Sequence, residues 1–304
     1  MKKAGQNGRG RMRRTPPPRD SFEELEIHTA DGIALRARTE EPTRRLEGPP
    51  PTCVLAHAMF ARKSSMRVLG ALLVEQGYRV IAFDFRGHGD SKTDTPWGYD
   101  DFVRQDLPAV VDCARARSDG APVIVVGHSL GGHVALAAQG TGRIECDGIV
   151  GLAANVWHPE LEPSRLRWAA KRVVMGGFLR IAKARGRFPA RALRIGSDDA
   201  SARYVEDLAR PARTGRWTSA DGTDDYLAAL ANVKIPVCAV LSEGDRINCH
   251  PDAGEAFARR CGGAVHVLRV ARSDDGSPPP DHMQLVTTNR SHRAITEAVA
   301  WVTE

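Results

Sequence analysis

The chain has 304 residues, of which 42% are hydrophobic and 26% charged, and this composition is typical of a soluble globular protein. The length suits one large α/β domain or a core that carries an insertion. No apolar run approaches the ~20 residues of a membrane-spanning helix, and the basic N-terminus lacks the apolar segment of a secretory signal. The six cysteines form no CxxC pair, so we expect free thiols, no metal site and a cytoplasmic location.

The net charge of +6 is unevenly distributed along the chain. Residues 1–20 carry seven Lys/Arg and one Asp, and residues 157–217 carry fourteen Lys/Arg and six Asp/Glu, so the rest of the chain is acidic. We predict that residues 1–20 form a disordered basic arm. Basic segments attract nucleic acid or anionic surfaces, or they are simply solvated. We expect no specific nucleic-acid partner and a weak attraction of anionic substrates or membranes to residues 157–217.

The chain opens with a predicted hairpin, residues 22–28 and 33–38, around an Asp31-Gly32 turn. Short apolar runs then predict strands at 52–56, 78–85, 123–126, 149–153, 235–241 and 265–270. Helical patterns cover residues 64–76, 101–116, 130–139, 226–231, 251–260 and 295–302. This alternation predicts a mostly parallel central sheet with helices on both faces. Residues 155–217 interrupt it and are interpreted as an insertion between core segments 21–154 and 218–304.

The stretch VIVVGHSLGGHVALAA, residues 123–138, places Ser129 between a predicted strand and a predicted helix, with Gly127 and Gly131 on either side. A strand that becomes a helix within one residue forces that residue into a strained conformation, and glycines relieve the crowding around it. The free N–H groups at the helix N-terminus favour negative charge beside the hydroxyl. A GxSxG pattern in this context therefore predicts a nucleophilic serine at a strand-to-helix elbow.

A nucleophilic serine needs a histidine base and an acid, and the sequence offers both after later strands. Asp245 follows the strand predicted at 235–241 and is the preferred acid, with Glu243 and Asp252 as alternatives. His282 follows the last predicted strand, behind a turn rich in Pro, Asp and Gly, and is the preferred base. The other histidines of this part, at 250, 266 and 292, fall in the acid's loop, in a strand and on the final helix.

The order Ser129, Asp245, His282 resembles that of the α/β-hydrolase fold. The resemblance rests on GHSLGG (127–132), FDFRGHGDS (83–91), SEGDRI (242–247) and DHMQLV (281–286), and covers roughly residues 22–304. The chain is similar to the serine hydrolases of the monoacylglycerol lipase and serine aminopeptidase group. The resemblance implies an α/β-hydrolase fold with a helical cap over the site.

The resemblance also implies an oxyanion hole, made by the backbone N–H groups of Met59 and Leu130. Ala58 stands where such enzymes usually have glycine, and it would add strain if that position needs a positive φ. The preceding His57 is interpreted as structural. Residues 85–91, FRGHGDS, lack the spacing of a phosphate-binding loop and are predicted to form a tight turn, in which His88 and Asp90 are structural.

The predicted cap, residues 155–217, contains a helical pattern with an apolar face. The face comprises Leu166, Ala170, Val173, Val174, Gly177, Phe178 and Ile181. Arg165, Lys171, Arg172 and Lys183 lie mostly away from it, and Gly176-Gly177 is a point where the helix could divide. Three interpretations stay open: the face packs on the core, it lines an acyl pocket, or it docks on anionic lipid.

These features together predict a serine hydrolase that cleaves a carboxylic ester or thioester of a small-molecule substrate. The chemistry would pass through an acyl-enzyme on Ser129 and would need no cofactor. Acyl transfer, peptide or amide hydrolysis, and a non-catalytic binding protein of the same fold stay as alternatives. The sequence leaves the acyl group, the leaving group and the oligomeric state open.

Overall fold

The computed structural model describes residues 22–44 and 47–304, and the predicted basic arm, residues 1–20, lies outside this part. An eight-stranded sheet forms the centre of the fold, and its strands follow the order β1-β2-β4-β3-β5-β6-β9-β10. A separate two-stranded ribbon pairs β7 with β8. The strands are β1 Phe22–His28, β2 Ala34–Glu40, β3 Thr52–Ala56, β4 Arg79–Phe83, β5 Val123–His128, β6 Gly148–Leu152, β7 Arg187–Phe188, β8 Ala200–Ser201, β9 Val237–Ser242 and β10 Val265–Val270.

Ten α-helical segments surround these strands in the described part of the chain. They are α1 Arg67–Gln76, α2 Tyr99–Asp101, α3 Leu107–Ala116, α4 Leu130–Gly140, α5 Arg165–Arg185, α6 Ala202–Thr214, α7 Tyr226–Ala229, α8 Pro251–Ala258, α9 Gln284–Thr287 and α10 His292–Thr303. A π-helical turn, Phe102–Asp106, joins α2 to α3, and three 3-10 turns lie at Lys63–Met66, Leu230–Asn232 and Asn289–Ser291. No helix in the described ranges is long and apolar enough to cross a membrane.

The predicted α/β architecture is confirmed. β1 and β2 form the predicted antiparallel hairpin, β2 pairs antiparallel with β4, and the remaining neighbours in the sheet are parallel. Helices α3 and α4 pack on one face, and α1 and α10 on the other, so the inner parallel strands β3, β5, β6 and β9 are buried on both sides, whereas the edge strand β10 is partly exposed. This double burial is why the strands read in the sequence as continuous apolar runs.

The carboxyl ends of β3, β5, β6, β9 and β10 lie at one edge of the sheet, because these five strands are parallel successive neighbours. Ligands bind at this edge in open α/β sheets. Each candidate residue follows one of these ends: Met59 follows β3, Ser129 and Leu130 follow β5, Asp245 follows β9, and His282 follows β10. The topology therefore gathers residues that are up to 223 positions apart, from 59 to 282, at one edge.

The helix in the predicted cap differs from the sequence-based expectation in two ways. α5 is one continuous helix through Gly176-Gly177, so the helix does not divide at this point, where the sequence allowed a division. Its buried face consists of Lys171, Met175, Leu179 and Ala182, whereas Leu166, Ala170, Val173 and Val174 are exposed. Phe178 and Ile181 alone of the predicted apolar face pack against the core as partly buried residues. The interpretation in which the whole apolar face packs on the core is therefore wrong.

An ion pair explains this rotation of α5. Lys171 donates a hydrogen bond from Nζ to Oε2 of Glu162 at 2.8 Å, and both side chains are almost fully buried. Arg167 binds the other carboxylate oxygen at 3.0 Å. A buried ammonium group needs a charged partner, because a buried charge without one costs several kcal/mol. The pairing with Glu162 therefore turns the Lys171 side of α5 inward, although Leu166 and Val173 stay exposed as a result.

Glu162→Leu should lower the free energy of unfolding by about 3–5 kcal/mol, because it leaves the Lys171 ammonium buried without its carboxylate. The double variant Glu162→Leu/Lys171→Met should recover most of that loss, since it removes both charges. Urea unfolding of the three proteins measures the effect. A double variant as unstable as the single one would show that the pair does not govern the packing of α5.

Candidate active site

Ser129 occupies a strained turn between β5 and α4. Its backbone has φ 51° and ψ −110°, a region that L-residues rarely adopt. The Ser129 N–H donates a hydrogen bond to the Leu152 carbonyl at 2.8 Å, which ties the turn to the end of β6. The neighbouring strand thus holds the turn in place, and the hydroxyl-bearing residue stays half-exposed at the sheet edge while its neighbours are buried.

Two glycines make this turn possible through close backbone contacts. A Cβ on Gly127 would collide with the backbone of Gly131 and Gly132, and a Cβ on Gly131 would collide with the carbonyl of Ala56 in β3. Both approaches are closer than real Cβ atoms reach, so only glycine fits. The GxSxG spacing is therefore explained by contacts of α4 with β5 and with β3.

Asp245 and His282 form a hydrogen-bonded pair in the structure, from His282 Nδ1 to Asp245 Oδ2. The Asp245 carboxylate is buried and also accepts the Asn248 N–H at 3.0 Å and the Cys249 N–H at 3.1 Å. Burial alone would raise the pKa of Asp245, but the His282 contact and these two amides outweigh it and lower that pKa. The carboxylate is thus held in its ionised form beside the imidazole.

The alternative acids lack this geometry. Asp252 lies in the first turn of α8, where its carboxylate pairs with Arg269 at 3.1 Å. Glu243 makes no ion pair within the described residues. Of the three acids considered, Asp245 is the one that the fold brings to His282.

The His282 loop is anchored by contacts that the sequence analysis missed. The buried His128, at the end of β5, contacts the His282 carbonyl through Nε2 at 3.0 Å, and the two rings lie 4.8 Å apart. Burial lowers the pKa of His128 to about 3, so its ring is neutral and donates to that carbonyl. Ser242 also donates its hydroxyl to the Pro280 carbonyl. The only sequence signal was the position of His128 beside Ser129.

The loop after β3 carries Met59, one of the two predicted oxyanion-hole residues. Met59 follows Ala58, and its N–H makes no hydrogen bond within the described part of the chain. Ala58 does not adopt a positive φ, whereas Phe60 does, with φ 59°. The alanine in place of glycine therefore adds no left-handed strain.

The residues interpreted as structural in the sequence do pack as such. His57 is buried; its Nδ1 contacts the Ala58 carbonyl at 2.8 Å, and its Nε2 accepts the Phe85 N–H at 3.2 Å. His88 is buried as well and contacts the Arg86 carbonyl at 3.1 Å, while Asp90 pairs with Lys63. These contacts hold the loops after β3 and β4 together.

Ser129, Leu130, Met59 and His282 line one cavity of about 210 Å³. Helices of residues 155–217 close it, with Met175 from α5, and Leu208 and Pro211 from α6. None of the seven residues in the predicted apolar face of α5 contributes to the lining, so that version of an acyl-pocket cap is wrong. Met175 lies on the opposite, buried face and takes this role.

Polar side chains interrupt the apolar lining of this cavity. Tyr99 Oη and His133 Nδ1 lie 2.9 Å apart, and burial lowers the pKa of His133 to about 3, so its ring is neutral. Asn155, three residues after β6, is almost fully buried, and its Nδ2 has no partner among the described residues. His133 lies four residues after Ser129, hence on the same face of α4, and this spacing is the one signal that could have found it.

The described residues contain no cluster of three or more His, Cys, Asp or Glu side chains that could hold a metal ion.

Residues 48–272 match the family model of the serine aminopeptidase family S33, about three quarters of the chain. The chain belongs to this family. It is an α/β-hydrolase, and Ser129 and Asp245 lie within the match, whereas His282 lies beyond its end.

Known relatives agree with the hydrolase assignment at the level of fold and family. Human lipase member N is 30% identical over 138 residues, which are 39% of this chain and 35% of the relative. The chain matches only about a third or less of the length of the first curated relatives. A thermophilic esterase from Thermogutta terrifontis has a TM-score of 0.59 at 18% identity, over 93% of this chain and 100% of that one. The esterase Est1E from Butyrivibrio proteoclasticus, solved with ferulic acid, has a TM-score of 0.60 at 18% identity, covering 91% and 99%.

Gly131→Ala should destabilise this α/β-hydrolase by about 1–3 kcal/mol, because the new Cβ overpacks against the Ala56 carbonyl. Gly177→Ala is the matched control: its Cβ meets nothing within 4 Å, and alanine should stabilise α5 by up to about 1 kcal/mol. Thermal unfolding of both variants measures the difference. Equal stabilities would contradict the role of close packing at the elbow.

Proposed function

We propose that this α/β-hydrolase cleaves a carboxylic ester or thioester through a covalent acyl-enzyme on Ser129. The observation that carries the proposal is the His282–Asp245 hydrogen bond beside the cavity that Ser129 also lines. Because His282 Nδ1 is occupied by Asp245, Nε2 is the nitrogen left to accept the Ser129 proton. The ionised Asp245 fixes this tautomer and stabilises the imidazolium that forms.

In the first half of the reaction, Ser129 Oγ attacks the acyl carbonyl carbon while its proton passes to His282 Nε2. The carbonyl oxygen becomes a tetrahedral oxyanion. When this intermediate collapses, the bond to the leaving alcohol or thiol breaks, and that group takes the proton from His282. In the second half, water gives a proton to His282 Nε2 as its oxygen attacks the acyl carbon. When this second intermediate collapses, the bond to Ser129 Oγ breaks, Ser129 takes the proton from His282, and the carboxylic acid is released.

The oxyanion would be bound by the backbone N–H groups of Met59 and Leu130, which both line the cavity. Leu130 is the first residue of α4, so its N–H has no acceptor within the helix and carries the positive end of the helix dipole. The Met59 N–H is free within the described chain. Removing one such donor typically costs about 10²–10³-fold in kcat.

The cavity favours a small acyl group. Its volume of about 210 Å³ is below the roughly 300–1,000 Å³ of pockets that hold drug-sized ligands. Aromatic side chains, Tyr99, Trp157 and Trp217, line it together with Asn155, whose Nδ2 finds no partner in the part of the chain that the structure describes. We infer that short-chain or single-ring acyl groups, including ones with a polar substituent, are preferred over long fatty acyl chains.

The electrostatics of the cavity favour esters over peptides with a free amino terminus. Among the described residues that line the cavity, Asp207 is the one acidic side chain. Asp245 does not line the cavity. Asp207 already contacts Arg210 at 2.5 Å and accepts the Tyr99 N–H at 3.0 Å, and burial raises its pKa. Both of its oxygens are thus already engaged within the protein, which weakens its attraction for a substrate ammonium group.

A fluorophosphonate probe should add one label per chain, on the peptide that contains Ser129, and Ser129→Ala should abolish the labelling. His282→Ala and Asp245→Asn should each lower kcat by about 10³–10⁴-fold, because either change removes a competent base. Mass spectrometry and ester turnover measure these effects.

The double variant Asp245→Asn/His282→Ala should be scarcely less active than His282→Ala, since the two residues act as a unit. Melting curves should stay close to that of the unchanged protein. Labelling that persists undiminished in Ser129→Ala, or an Asp245→Asn protein with most of its activity, would refute the assignment.

Among p-nitrophenyl esters from acetate to palmitate, kcat/KM should peak at a short chain. Met175→Ala should move the peak to longer chains, because Met175 is buried against the cavity. Leu179→Ala is the matched control: it lies one turn further along α5, in the same buried cluster, but outside the lining. A shift in both variants, or in neither, would contradict the assignment of the acyl cavity.

A further inference from the structure

The outer face of α5 is apolar and has no partner within the described chain. Leu166 is 83% exposed, Val173 is 76% exposed and Val174 is 39% exposed. With the exposed Ala170 and half-exposed Gly177, these residues follow the spacing of one helix face over three turns, and we call this set the outer stripe. Large exposed apolar residues that share one face mark an interaction surface, whereas single ones need no explanation.

Exposed apolar residues also occur among those that line the cavity. Ile195 is 47% exposed and Met283 is 39% exposed, and both also line the cavity. Leu193, in the same turn as Ile195, is 45% exposed. The segment that carries the outer stripe thus also contributes apolar residues to the entrance of the site.

Unpaired arginines accompany these apolar residues. All six acidic residues of segment 157–217 contact a cation: Glu160, Glu162, Asp198, Asp199, Glu206 and Asp207. Nine exposed arginines of the same segment have no ion pair within the described residues. Six of them lie on α5 or in the turn around Leu193 and Ile195, namely Arg165, Arg172, Arg180, Arg185, Arg191 and Arg194, and the other three are Arg203, Arg213 and Arg216. The positive charge of this surface is therefore not neutralised inside the protein.

The combination of apolar and basic residues decides between possible occupants. In a twofold dimer through this face, the same patch meets itself, so arginines would face arginines. A nucleic acid would neutralise the arginines but would leave the outer stripe in water. An anionic lipid surface accepts both, because apolar side chains enter the interface while arginines contact the headgroups.

We propose that the outer face of α5 and the turn around Leu193 and Ile195 form a docking surface for anionic membranes. The helix lies in the plane of the interface, with the outer stripe among the acyl chains and Arg165, Arg172 and Arg180 at the headgroups. Docking brings the cavity mouth, through Ile195, towards the lipid. This inference does not depend on the hydrolytic activity, and its test is a binding measurement.

The test uses flotation of the full-length protein with phosphatidylcholine vesicles that contain or lack phosphatidylglycerol, at about 0.15 M salt. Leu166→Ser/Val173→Ser removes the two most exposed apolar side chains of the outer stripe, and Arg165→Gln/Arg172→Gln removes two charges beside it. Arg67→Gln/Arg293→Gln, on exposed positions of α1 and α10, removes the same charge from the body of the protein. All variants keep the basic residues 1–20, so any contribution from them is common to the series.

The unchanged protein should bind vesicles that contain phosphatidylglycerol and should bind pure phosphatidylcholine weakly. The arginine variant should bind about fivefold more weakly per charge removed, and the serine variant several-fold more weakly, whereas the control should match the unchanged protein. Equal binding of all four proteins, or equal losses in the arginine variant and the control, would overturn the proposal.

Two further outcomes would also overturn it. A loss in the arginine variant without a loss in the serine variant would identify a general polyanion site. A serine variant that binds vesicles normally but loses self-association in analytical ultracentrifugation would identify a second copy of the chain as the occupant.

Discussion

The turn from β5 into α4 leaves no room for a side chain at Gly127 or Gly131, and the geometry of the site depends on this close packing. Because α4 lies directly against the end of β3 at Ala56, the loop that carries Met59 is brought beside the first turn of the helix. The same packing holds Ser129 in its strained conformation, with its N–H bound to Leu152 of the neighbouring strand. Such strain persists only where the surrounding structure over-determines it.

The helices of residues 155–217 are coupled to the candidate acid through a chain of polar contacts. Trp157 donates its indole N–H to the Asn248 carbonyl at 2.8 Å, and the Asn248 N–H in turn binds Asp245. Lys171 lies over the Trp157 ring at 5.3 Å, and its ammonium pairs with Glu162. The buried ion pair that sets the rotation of α5 therefore borders the same indole that positions the acid's loop. These contacts link the packing of α5, which helps to close the cavity, to the position of Asp245.

The sequence alone was enough to predict the sheet, the strand-to-helix elbow at Ser129 and the pairing of Asp245 with His282. Parallel strands buried on both faces appear as continuous apolar runs, so β3 was predicted with the bounds that the structure has. The bounds of β10, a partly exposed edge strand, were predicted as well. Ser129 was identified from a local pattern, in which two glycines flank it between a strand and a helix. Such a pattern predicts the conformation of the turn. Asp245 and His282 followed from topology, since side chains after parallel strands meet at one edge.

The tertiary structure decided what no local pattern encodes. α5 has apolar residues on two faces, and periodicity could not tell that Lys171, rather than Leu166 or Val173, would be buried. That choice depends on Glu162, which lies outside the helix and is recognised as the partner only when the chain is folded. The lining of the cavity was hidden for the same reason: Tyr99, Asn155 and Met175 come from three separate segments. The period of apolar residues along the chain indicates which side of a strand or helix is buried. A cavity wall and a buried ion pair, by contrast, depend on contacts between segments that are far apart in the sequence.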